Sequence, residues 1–570
     1  MPESPLSSAA YNEASEAETR RRNSHKTWNN PDPALDRPEL YLNRELSLLQ
    51  FNRRVMELAQ DPNIPLLERL RFLTISSSNL DEFFEIRAAG VKQQIEYGVV
   101  GLSPDGRTPQ QLNEEINSQG HRLVAEQYRI LGDELLPALR YAGVALLKRE
   151  EWSDRQVEWL EEYFNDQVLP VLTPIAIDPA HPFPRILNKS LNFIVELSGV
   201  DAFGRDSRIA VIQVPRSLPR VIRLPREICE HSHSFVLLSA VISASVPLLF
   251  PGMKVEGAWQ FRVTRNSDLF VEEEDVDDLL SAIKGELDQR KWGDAVRLEV
   301  ANNIPKSMTR FLLQHFELTE EDVYRVEVPV NLHRLSAIVE SVDNPDIKYP
   351  AFVPGGPLEA LEEDVFRQIR RGDVLLHHPY QSFAPVVDMI RQAANDPDVL
   401  SIKITLYRTG ANSPIVDALI AAARNQKDVT VVIELRARFD EAANIDLATR
   451  LQNAGANVAY GIVGYKAHAK LLLVVRREKG KLRRYCHLGT GNYHTGTARA
   501  YTDFSLMTCD KAIGRDVHHL FLQLTGIGME TKLKKLLQSP FSLEPKLHEH
   551  IDREIEVSRA GGSGRIIARM

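Results

Sequence analysis

The stretch 373–463 alternates apolar runs with runs of helical periodicity, and this alternation is the feature that most constrains the fold. Buried strands are predicted for the near-continuous apolar runs at 373–376, 399–407, 429–435 and 458–463. Helices are predicted for the amphipathic runs at 382–394, 414–424 and 442–454. Because strands that alternate with helices usually pair in parallel, the sequence predicts a parallel sheet with helices on both faces.

Histidine and arginine residues follow the first three of these predicted strands. They are His378, Arg408 and Arg438. Ligands of parallel sheets bind at the carboxyl ends of the strands. One arginine at a strand end is ordinarily a surface ion pair, but a guanidinium also binds two phosphate oxygens at once. Arginines from two neighbouring strands therefore predict an anion site at this edge of the sheet.

The next stretch, 464–492, reads GYKAHAKLLLVVRREKGKLRRYCHLGTGN. His468 and Lys470 open an apolar run, and residues two apart on a strand project to the same face. A second strand run leads into Gly489-Thr490-Gly491-Asn492, whose glycines allow backbone N–H groups to approach an anion. Alone, His468 and Lys470 are a surface pair before an ordinary turn. With the glycine loop they predict a phosphoryl site, with His468 as nucleophile, Lys470 as cation and Asn492 as a polar donor.

The first 352 residues divide by composition into three parts. Residues 1–38 are rich in Ser, Glu and Ala and are predicted to be a disordered tail. A helical domain is predicted at 39–142, with an N-cap at Ser47, a second helix from Pro65, a loop at 76–84 that turns into a third helix, and a helix at 110–136. An α+β part is predicted at 143–352, with strands at 191–197, 208–214, 235–238 and 259–264 and a helix at 275–291.

Length, charge and cysteine usage narrow the functional classes. A chain of 570 residues exceeds a single core, so several domains are expected. The net charge of -9 argues against a nucleic-acid partner, and anionic ligands must then be held by local arginines. The three cysteines show no metal-ligand spacing and suit a reducing compartment. Without a membrane-span run or a signal-peptide pattern, the sequence predicts a cytoplasmic protein with no integral membrane segment.

Eight motifs along the chain together resemble class 1 polyphosphate kinase, and H-x-K with G-T-G-N resembles half of a phospholipase D superfamily site. They read, in the order of the family, NLDEFFEIR (79–87), HPFPRILNKSLN (181–192), FRVTRNSDLFVEEE (261–274), HHPYQSF (377–383), ITLYR (404–408), ELRARFDEAANI (434–445), HAKLLLVVRRE (468–478) and HLGTGNYHTGTARAYTDFSLMT (487–508). The resemblance implies a multidomain α+β and α/β fold. It implies a helical domain at 39–142, a head domain at 143–352, a phospholipase D-like catalytic domain at 353–540 and the start of a second such domain at 541–570.

The same resemblance implies an activity and a set of site residues. The reaction is reversible transfer of the ATP γ-phosphate to the end of inorganic polyphosphate, through a phosphohistidine at His468 and with Mg²⁺. Asn79 and Tyr501 are implied to line the ATP site. Arg408 and Arg438 are implied to border the Mg²⁺ site, and since a guanidinium cannot ligate a cation, we expect them to hold the phosphates that carry the metal. The resemblance also implies a homo-oligomer, which is a dimer or larger. It implies a location in the cytoplasm or in a membrane-associated complex.

Two departures from the family patterns leave alternatives open. The phospholipase D pattern has Asp at the position of Val475, and its loss favours a kinase over a phosphodiesterase. The second H-x-K histidine of the family is not found after His468, so the chain resembles a truncated enzyme. One alternative is therefore a catalytically incomplete fragment that binds ATP or polyphosphate. Another is a phospholipase D-like phosphodiesterase that pairs two copies of the His468 stretch in a dimer.

Overall fold

The chain divides into two units. A computed structural model describes residues 37–568, apart from 179–181, 201–207, 268–282, 284–291, 328, 356–363, 411–412, 436, 438–439, 463–464 and 527–531. The N-terminal unit comprises Met1–Asp268 with Lys291–Tyr349, and the C-terminal unit comprises Leu269–Arg290 with Pro350–Met570. Three predicted features lie outside the described residues: the tail up to residue 36, the helix at 275–291 apart from Ile283, and Arg438.

The N-terminal unit begins with helices that share one apolar core. They are α1 (Arg44–Glu57), α2 (Leu66–Glu82), α3 (Ala89–Glu96), α4 (Pro109–Arg129) and α5 (Leu136–Tyr141). The predicted N-cap at Ser47 was wrong. Asn43 caps α1 instead, because its side chain accepts hydrogen bonds from the backbone N–H groups of Glu45 and Leu46. The start of α2 directly after Pro65 is as predicted.

The stretch 76–84, predicted as a loop turning into a helix, is helical throughout. Helix α2 continues to Glu82, and a π-helical turn, Phe83–Ala88, joins it to α3. Ser76 lies in the interior, where Gln127 Nε2 donates to its hydroxyl at 2.9 Å and Asn52 Nδ2 donates to its carbonyl at 2.9 Å. Tertiary packing thus overrides the local preference of serine and asparagine for caps and turns.

The rest of the N-terminal unit is α+β, as predicted. Its elements are β1 (Val144–Leu147), α6 (Asp154–Tyr163), β2 (Pro174–Ala176), β3 (Asn192–Ser198), β4 (Ile209–Gln213), β5 (Val221–Arg223), β6 (His233–Leu237), α7 (Leu238–Ser245), β7 (Lys254–Arg265), β8 (Ala295–Ala301), α8 (Lys306–Phe316), β9 (Val323–Val326) and α9 (Ser336–Ser341). The strands form two sheets, ordered β1-β6-β5 and β2-β4-β3-β7-β8-β9. The four strands predicted from sequence correspond to β3, β4, β6 and β7.

A buried ionic cluster fixes helix α2 against the larger of these sheets. Arg262 on β7 donates from Nη1 to Asp81 Oδ2 at 2.7 Å and from Nη2 to Oδ1 at 2.9 Å. Arg297 on β8 reaches the same Oδ1 at 2.5 Å and Glu299 at 3.1 Å, and all four side chains are buried. Burial alone would raise the pKa of Asp81, but the two guanidinium groups outweigh it and hold the pKa below its usual range.

The C-terminal unit contains every strand and helix predicted between 373 and 463. Its elements are α10 (Val365–Arg371), β10 (Val374–His378), α11 (Ala384–Asn395), β11 (Val399–Leu406), α12 (Pro414–Arg424), β12 (Asp428–Ile433), α13 (Glu441–Asn453), β13 (Asn457–Tyr460), β14 (Lys470–Glu478), β15 (Lys481–Gly489), α14 (Thr495–Ala500), β16 (Asp503–Thr508), α15 (Lys511–Leu524) and α16 (Leu543–Arg559). Apolar side chains pack on both faces of the sheet. Among the described helices, none combines the length and the apolar character that a membrane crossing requires.

The sheet of the C-terminal unit is mixed, so the predicted parallel sheet is only partly right. Its order is β10-β16-β15-β14-β11-β12-β13, and only β11, β12 and β13 pair in parallel. Strands β14 and β15 are antiparallel because a tight turn at Lys479 and Gly480, with φ of 48° and 76°, joins them directly. With these directions, β10, β11, β12, β13 and β15 end at the edge where β14 and β16 begin.

Candidate active site

The β14–β15 hairpin places the H-x-K and G-T-G-N motifs beside each other. Lys470, the first residue of β14, lies directly opposite Gly489, the last residue of β15. His468 therefore precedes one strand at the same sheet edge where Thr490 and Asn492 follow the other. His468 is just outside the strand, and Lys470 Nζ turns back to donate to the His468 carbonyl at 2.6 Å. The predicted proximity of the two motifs follows from this register.

The environment of His468 keeps its imidazole neutral. Partial burial and the positive charges of Lys470 and Lys466 lower the pKa of His468 below its ordinary value. A neutral imidazole carries a free electron pair on one ring nitrogen, which is the form that attacks phosphorus. At neutral pH His468 is therefore in the form that a nucleophile requires, and its predicted role as the nucleophile remains a prediction.

Lys470 supplies a buried positive charge next to His468. Burial lowers the pKa of the Lys470 ammonium to about 8, while the carboxylate of Asp503 opposes the shift. The side chain is thus mostly protonated at neutral pH, although it lies close to the point at which it loses its proton. A cation in such a partly desolvated position attracts phosphate oxygens more strongly than an exposed lysine does.

Tyr407 is a functional residue that the sequence interpretation missed. Its ring lies edge-to-face with the His468 ring, with centroids 5.5 Å apart. Lys466 Nζ and Lys470 Nζ stand 5.4 Å and 5.5 Å from the ring centre, and Arg408 Cζ stands at 5.6 Å. Three cations and His468 thus surround one aromatic ring, whose electron-rich faces attract cations. The available signal was the tyrosine that ends the predicted strand directly before Arg408.

The side-chain amide of Asn444 donates hydrogen bonds to the backbone carbonyl groups at the ends of two neighbouring strands. Asn444 on α13 donates from Nδ2 to the Tyr407 carbonyl at 2.8 Å and to the Glu434 carbonyl at 2.9 Å. The Glu434 carboxylate in turn accepts the backbone N–H of Ala467 at 2.7 Å. Buried backbone groups are costly when unpaired, so these bonds hold the segment before His468 and the backbone of Tyr407 in a fixed relation.

The glycine loop is held by Asp503 at the start of β16. Thr490 Oγ1 donates to Asp503 Oδ1 at 2.8 Å and accepts the backbone N–H of Phe504 at 2.9 Å. A Cβ atom at Gly491 would stand 2.3 Å from Asp503 Oδ2, so glycine permits the close approach. The Asn492 Oδ1 atom is buried without a hydrogen-bond partner among the described residues. The donor role predicted for Asn492 remains a prediction.

Buried histidines lie on the sheet strands next to this loop. His378, which sequence placed at a strand end, is interior, with Nδ1 2.8 Å from the Gln381 carbonyl and Nε2 2.9 Å from Ser505 Oγ. His487 Nδ1 lies 2.7 Å from the Tyr493 hydroxyl. Burial, aided by His378, lowers the pKa of His487 to about 3, so this imidazole is neutral. His378 therefore supports the strands here through satisfied hydrogen bonds.

The remaining predicted residues differ in position and exposure. Arg408 forms an ion pair from Nε to Asp440 Oδ2 at 2.7 Å at the same sheet edge as His468. Tyr501 follows α14 with a side chain that is 64% exposed. Asn79 belongs to the N-terminal unit, where its Nδ2 donates to Asn52 Oδ1 at 3.4 Å. Within one unit the structure thus assembles His468, Lys470, Arg408 and the glycine loop.

His468 borders a cavity, and lysine side chains lie near its imidazole. A cavity of 640 Å³ adjoins His468 and is lined by Lys466, Tyr465 and Gln538 together with leucine side chains. In the part of the chain that the structure describes, no three or more His, Cys, Asp and Glu side chains are grouped to hold a metal ion. Ammonium and guanidinium groups bind anions, so the side chains around His468 fit a phosphate ligand.

Sequence comparisons identify the family. Residues 41–147 match the polyphosphate kinase N-terminal domain, residues 155–338 the polyphosphate kinase middle domain and residues 364–530 the polyphosphate kinase C-terminal domain 1. The chain belongs to the polyphosphate kinase family. Polyphosphate kinases from Pseudomonas aeruginosa and Xylella fastidiosa are 53% and 55% identical to it. The alignments cover 94% of this chain, and 78% and 76% of the two relatives.

A solved structure of the polyphosphate kinase family has the same fold. The crystal structure of polyphosphate kinase from Porphyromonas gingivalis matches with a TM-score of 0.74 at 29% sequence identity. The match covers 91% of this chain and 75% of that chain. These comparisons confirm the family predicted from the eight motifs, the multidomain α+β and α/β fold class, and polyphosphate kinase as the predicted function at the level of the family.

Proposed function

We propose that the protein transfers the γ-phosphate of ATP reversibly to the end of an inorganic polyphosphate chain, with His468 as the phosphorylated intermediate. The observation that carries the proposal is a neutral imidazole beside Lys466 and Lys470, in contact with a Tyr407 ring that Arg408 also contacts. The polyphosphate kinase relatives support the choice of donor and acceptor.

In the first step, the free electron pair of His468 attacks the γ-phosphorus of ATP. A nitrogen–phosphorus bond forms, the bond to the bridging oxygen breaks, and ADP leaves with the electrons of that bond. Lys470 and Arg408 offset the negative charge on the phosphoryl oxygens, which is the largest contribution that a fixed site makes. The backbone N–H groups of Gly489 and Gly491, with the Asn492 side chain, orient the phosphoryl group.

In the second step, a terminal oxygen of polyphosphate attacks the phosphohistidine. The nitrogen–phosphorus bond breaks and neutral imidazole leaves. A lowered pKa makes the His468 nitrogen less basic and hence a better leaving group, so the same environment serves both steps. Because donor and acceptor are both phosphate anhydrides, the reaction runs in either direction.

We assign Mg²⁺ to the phosphates rather than to protein ligands. The ion usually binds through substrate phosphates and water with one or two carboxylates, and it supplies charge neutralisation there. Arg408 and Arg438 would hold the phosphates that carry it, and Asn79 and Tyr501 would contact the nucleotide. We further propose a cytoplasmic homo-oligomer without a nucleic-acid partner. The net charge of -9 supports the absence of a nucleic-acid partner, the three free cysteines support a reducing compartment, and the homo-oligomer rests on the family resemblance.

The test is labelling with γ-labelled ATP and Mg²⁺, followed by an assay for acid-labile phosphoprotein. His468→Ala should remove the label, while His550→Ala, an exposed histidine on α16, should keep it. Label that persists in His468→Ala would place the intermediate elsewhere. Absence of label in the parent protein, with ADP still formed, would favour direct transfer without a phosphohistidine.

A further inference from the structure

The far end of the β14–β15 hairpin is strongly basic in a chain whose net charge is -9. Nine residues, 476–484, contain six cationic side chains and one carboxylate, Glu478. The cationic residues are Arg476, Arg477, Lys479, Lys481, Arg483 and Arg484. Such a concentration of one charge sign on one turn produces a local positive potential that the net charge of the chain does not predict.

The hairpin geometry exposes three of these cations at the turn. Lys479 and Gly480 adopt positive φ, so the chain reverses within two residues, and the backbone of Glu478 lies opposite that of Lys481 in the strand register. The side chains of Arg477, Lys479 and Lys481 are exposed. We call these three residues the basic tip.

The nearby carboxylates pair with other arginines. Glu478 contacts Arg476 at 3.1 Å, Arg483 at 2.9 Å and Arg370 of α10 at 3.3 Å. Arg476 also pairs with Asp396 at 2.8 Å and with Asp398 at 3.2 Å. Among the described residues, no ion pair involves the basic tip. Its three positive charges are therefore available to an anionic partner.

The basic tip stands at the opposite end of β14 from the transfer site. His468 precedes β14, whose 9 residues end at Glu478. At about 3.3 Å per strand residue, the tip lies about 30 Å from His468. A single phosphate or nucleotide at the site cannot touch both places, whereas a long chain can.

We propose that the basic tip binds the body of a polyphosphate chain while its end occupies the site at His468, an inference that rests on the proposed function. Polyphosphate presents repeated negative charge on a flexible chain, which flexible lysine and arginine side chains match without fixed geometry. No aromatic residue occurs in 476–484 to stack on bases, so polyphosphate is favoured over single-stranded nucleic acid. A second contact on the same chain raises the effective concentration of its end at the site.

The test neutralises the tip without disturbing the turn. The variant combines Arg477→Gln, Lys479→Asn and Lys481→Gln, because asparagine tolerates the positive φ at position 479. The matched control removes three exposed charges elsewhere in the C-terminal unit, with Arg391→Gln, Arg553→Gln and Arg559→Gln. Both proteins are compared with the parent for binding of fluorescent long-chain polyphosphate and of inorganic tripolyphosphate, at low and at physiological salt.

The tip variant should bind long-chain polyphosphate roughly 10-fold more weakly, because three exposed charge contacts are lost. Its binding should also depend less on salt concentration. Its tripolyphosphate binding and its His468 labelling by ATP should match the parent, and the control variant should match throughout. Equal losses in both variants, or no loss in the tip variant, would overturn the proposal. Tip-dependent binding of RNA or anionic vesicles with unchanged polyphosphate binding would overturn it in favour of that partner. His468 labelling is scored separately, so failure of the proposed function would be seen in the parent protein.

Discussion

Tyr407 is the residue on which the arrangement of the transfer site depends most. Lysine and arginine side chains are long, and like charges placed close together repel each other. A ring that contacts Lys466, Lys470 and Arg408 gives the three cations one common partner next to His468. The ring thus holds positive charge next to His468, where the proposed mechanism requires it for the phosphoryl oxygens.

Replacement of Tyr407 by leucine should lower the rate of His468 phosphorylation about 10- to 100-fold. The reason is that it removes three cation–π contacts worth about 0.5–1 kcal/mol each. Replacement by phenylalanine retains the ring and should retain most of the rate. The measurement is single-turnover labelling over a range of ATP concentrations, which separates binding from transfer. Equal losses in the leucine and phenylalanine variants would show that the hydroxyl, and not the ring, is required.

The pH dependence of labelling should report His468 and Lys470 in opposite directions. At acidic pH, protonation of His468 removes the nucleophile. The rate should therefore rise with increasing pH, with a midpoint below the ordinary histidine pKa of 6.5. Above neutrality, Lys470 loses its charge near its pKa of about 8, and the rate should fall. The expected profile is a bell, measured as the rate of His468 labelling across the pH range.

The variant Lys470→Arg separates the two limbs of that profile. Arginine stays protonated at every pH in the range, so the fall near pH 8 should disappear while the acid limb remains. The longer, planar side chain should also lower the maximal rate, because the position is buried. An unchanged fall near pH 8 in this variant would assign the alkaline limb to another group.

Sequence reasoning predicted which motifs lie together at the sheet edge better than the residues that support them. The proximity of His468, Lys470 and the glycine loop was predicted because they flank two consecutive strand runs joined by a short turn. Tyr407 was not found, since an aromatic residue at a strand end is usually part of a core and its neighbours come from another strand. Asp503 was missed for the same reason, because its contact with Thr490 joins two strands of the sheet.

At the scale of elements, the loop after β15 depends on a close approach of backbone to carboxylate. Gly491→Ala would place a methyl group 2.3 Å from Asp503 Oδ2 and 3.0 Å from its Cβ, so Asp503 must move away from Thr490. We expect His468 labelling to fall about 10-fold or more, since a small displacement of an oriented donor is costly in catalysis. The thermal unfolding midpoint should change little, because the loop is at the edge of the sheet.

The matched control for this variant is Gly372→Ala. Gly372 has an extended backbone, and a Cβ there would meet nothing within 4 Å. Labelling by ATP should therefore be unaffected. If Gly372→Ala and Gly491→Ala lose activity equally, a general effect of the added methyl group replaces the local explanation.

Element types were predicted more reliably than the pairing of the strands. Hydrophobic periodicity identified the strands and helices between 373 and 463, because burial repeats along each element. It could not give the direction of β14 and β15, which is fixed by the short turn at Lys479 and Gly480. The absence of a loop before the third predicted helix, near Ser76, was also beyond local reasoning, since Ser76 is hydrogen-bonded by Asn52 and Gln127 from other helices.

At the scale of the whole molecule, the N-terminal unit depends on charges that sequence reasoning did not pair. Asp81 lies in the NLDEFFEIR motif and Arg262 in the FRVTRNSDLFVEEE motif, and the two form a bidentate ion pair in the interior. The ion pair gives the two motifs one structural role, which is to fix the helix that carries Asn79 on the sheet.

Asp81→Asn should destabilise the N-terminal unit by about 3 kcal/mol or more, because it leaves Arg262 and Arg297 buried with Glu299 as their remaining carboxylate in the cluster. The measurement is urea unfolding followed by tryptophan fluorescence, since all five tryptophans belong to that unit. Glu82→Gln, on the exposed side of the same helix, is the control and should change the free energy of unfolding by less than about 0.5 kcal/mol.

The pKa of Asp81 is depressed in the folded state, so its contribution to the free energy of unfolding is present above the unfolded pKa of 3.8 and is lost as the pH falls below that value. The difference between parent and Asp81→Asn should therefore shrink in acid, and a difference that stays constant down to low pH would contradict a charged Asp81 at the centre of the cluster.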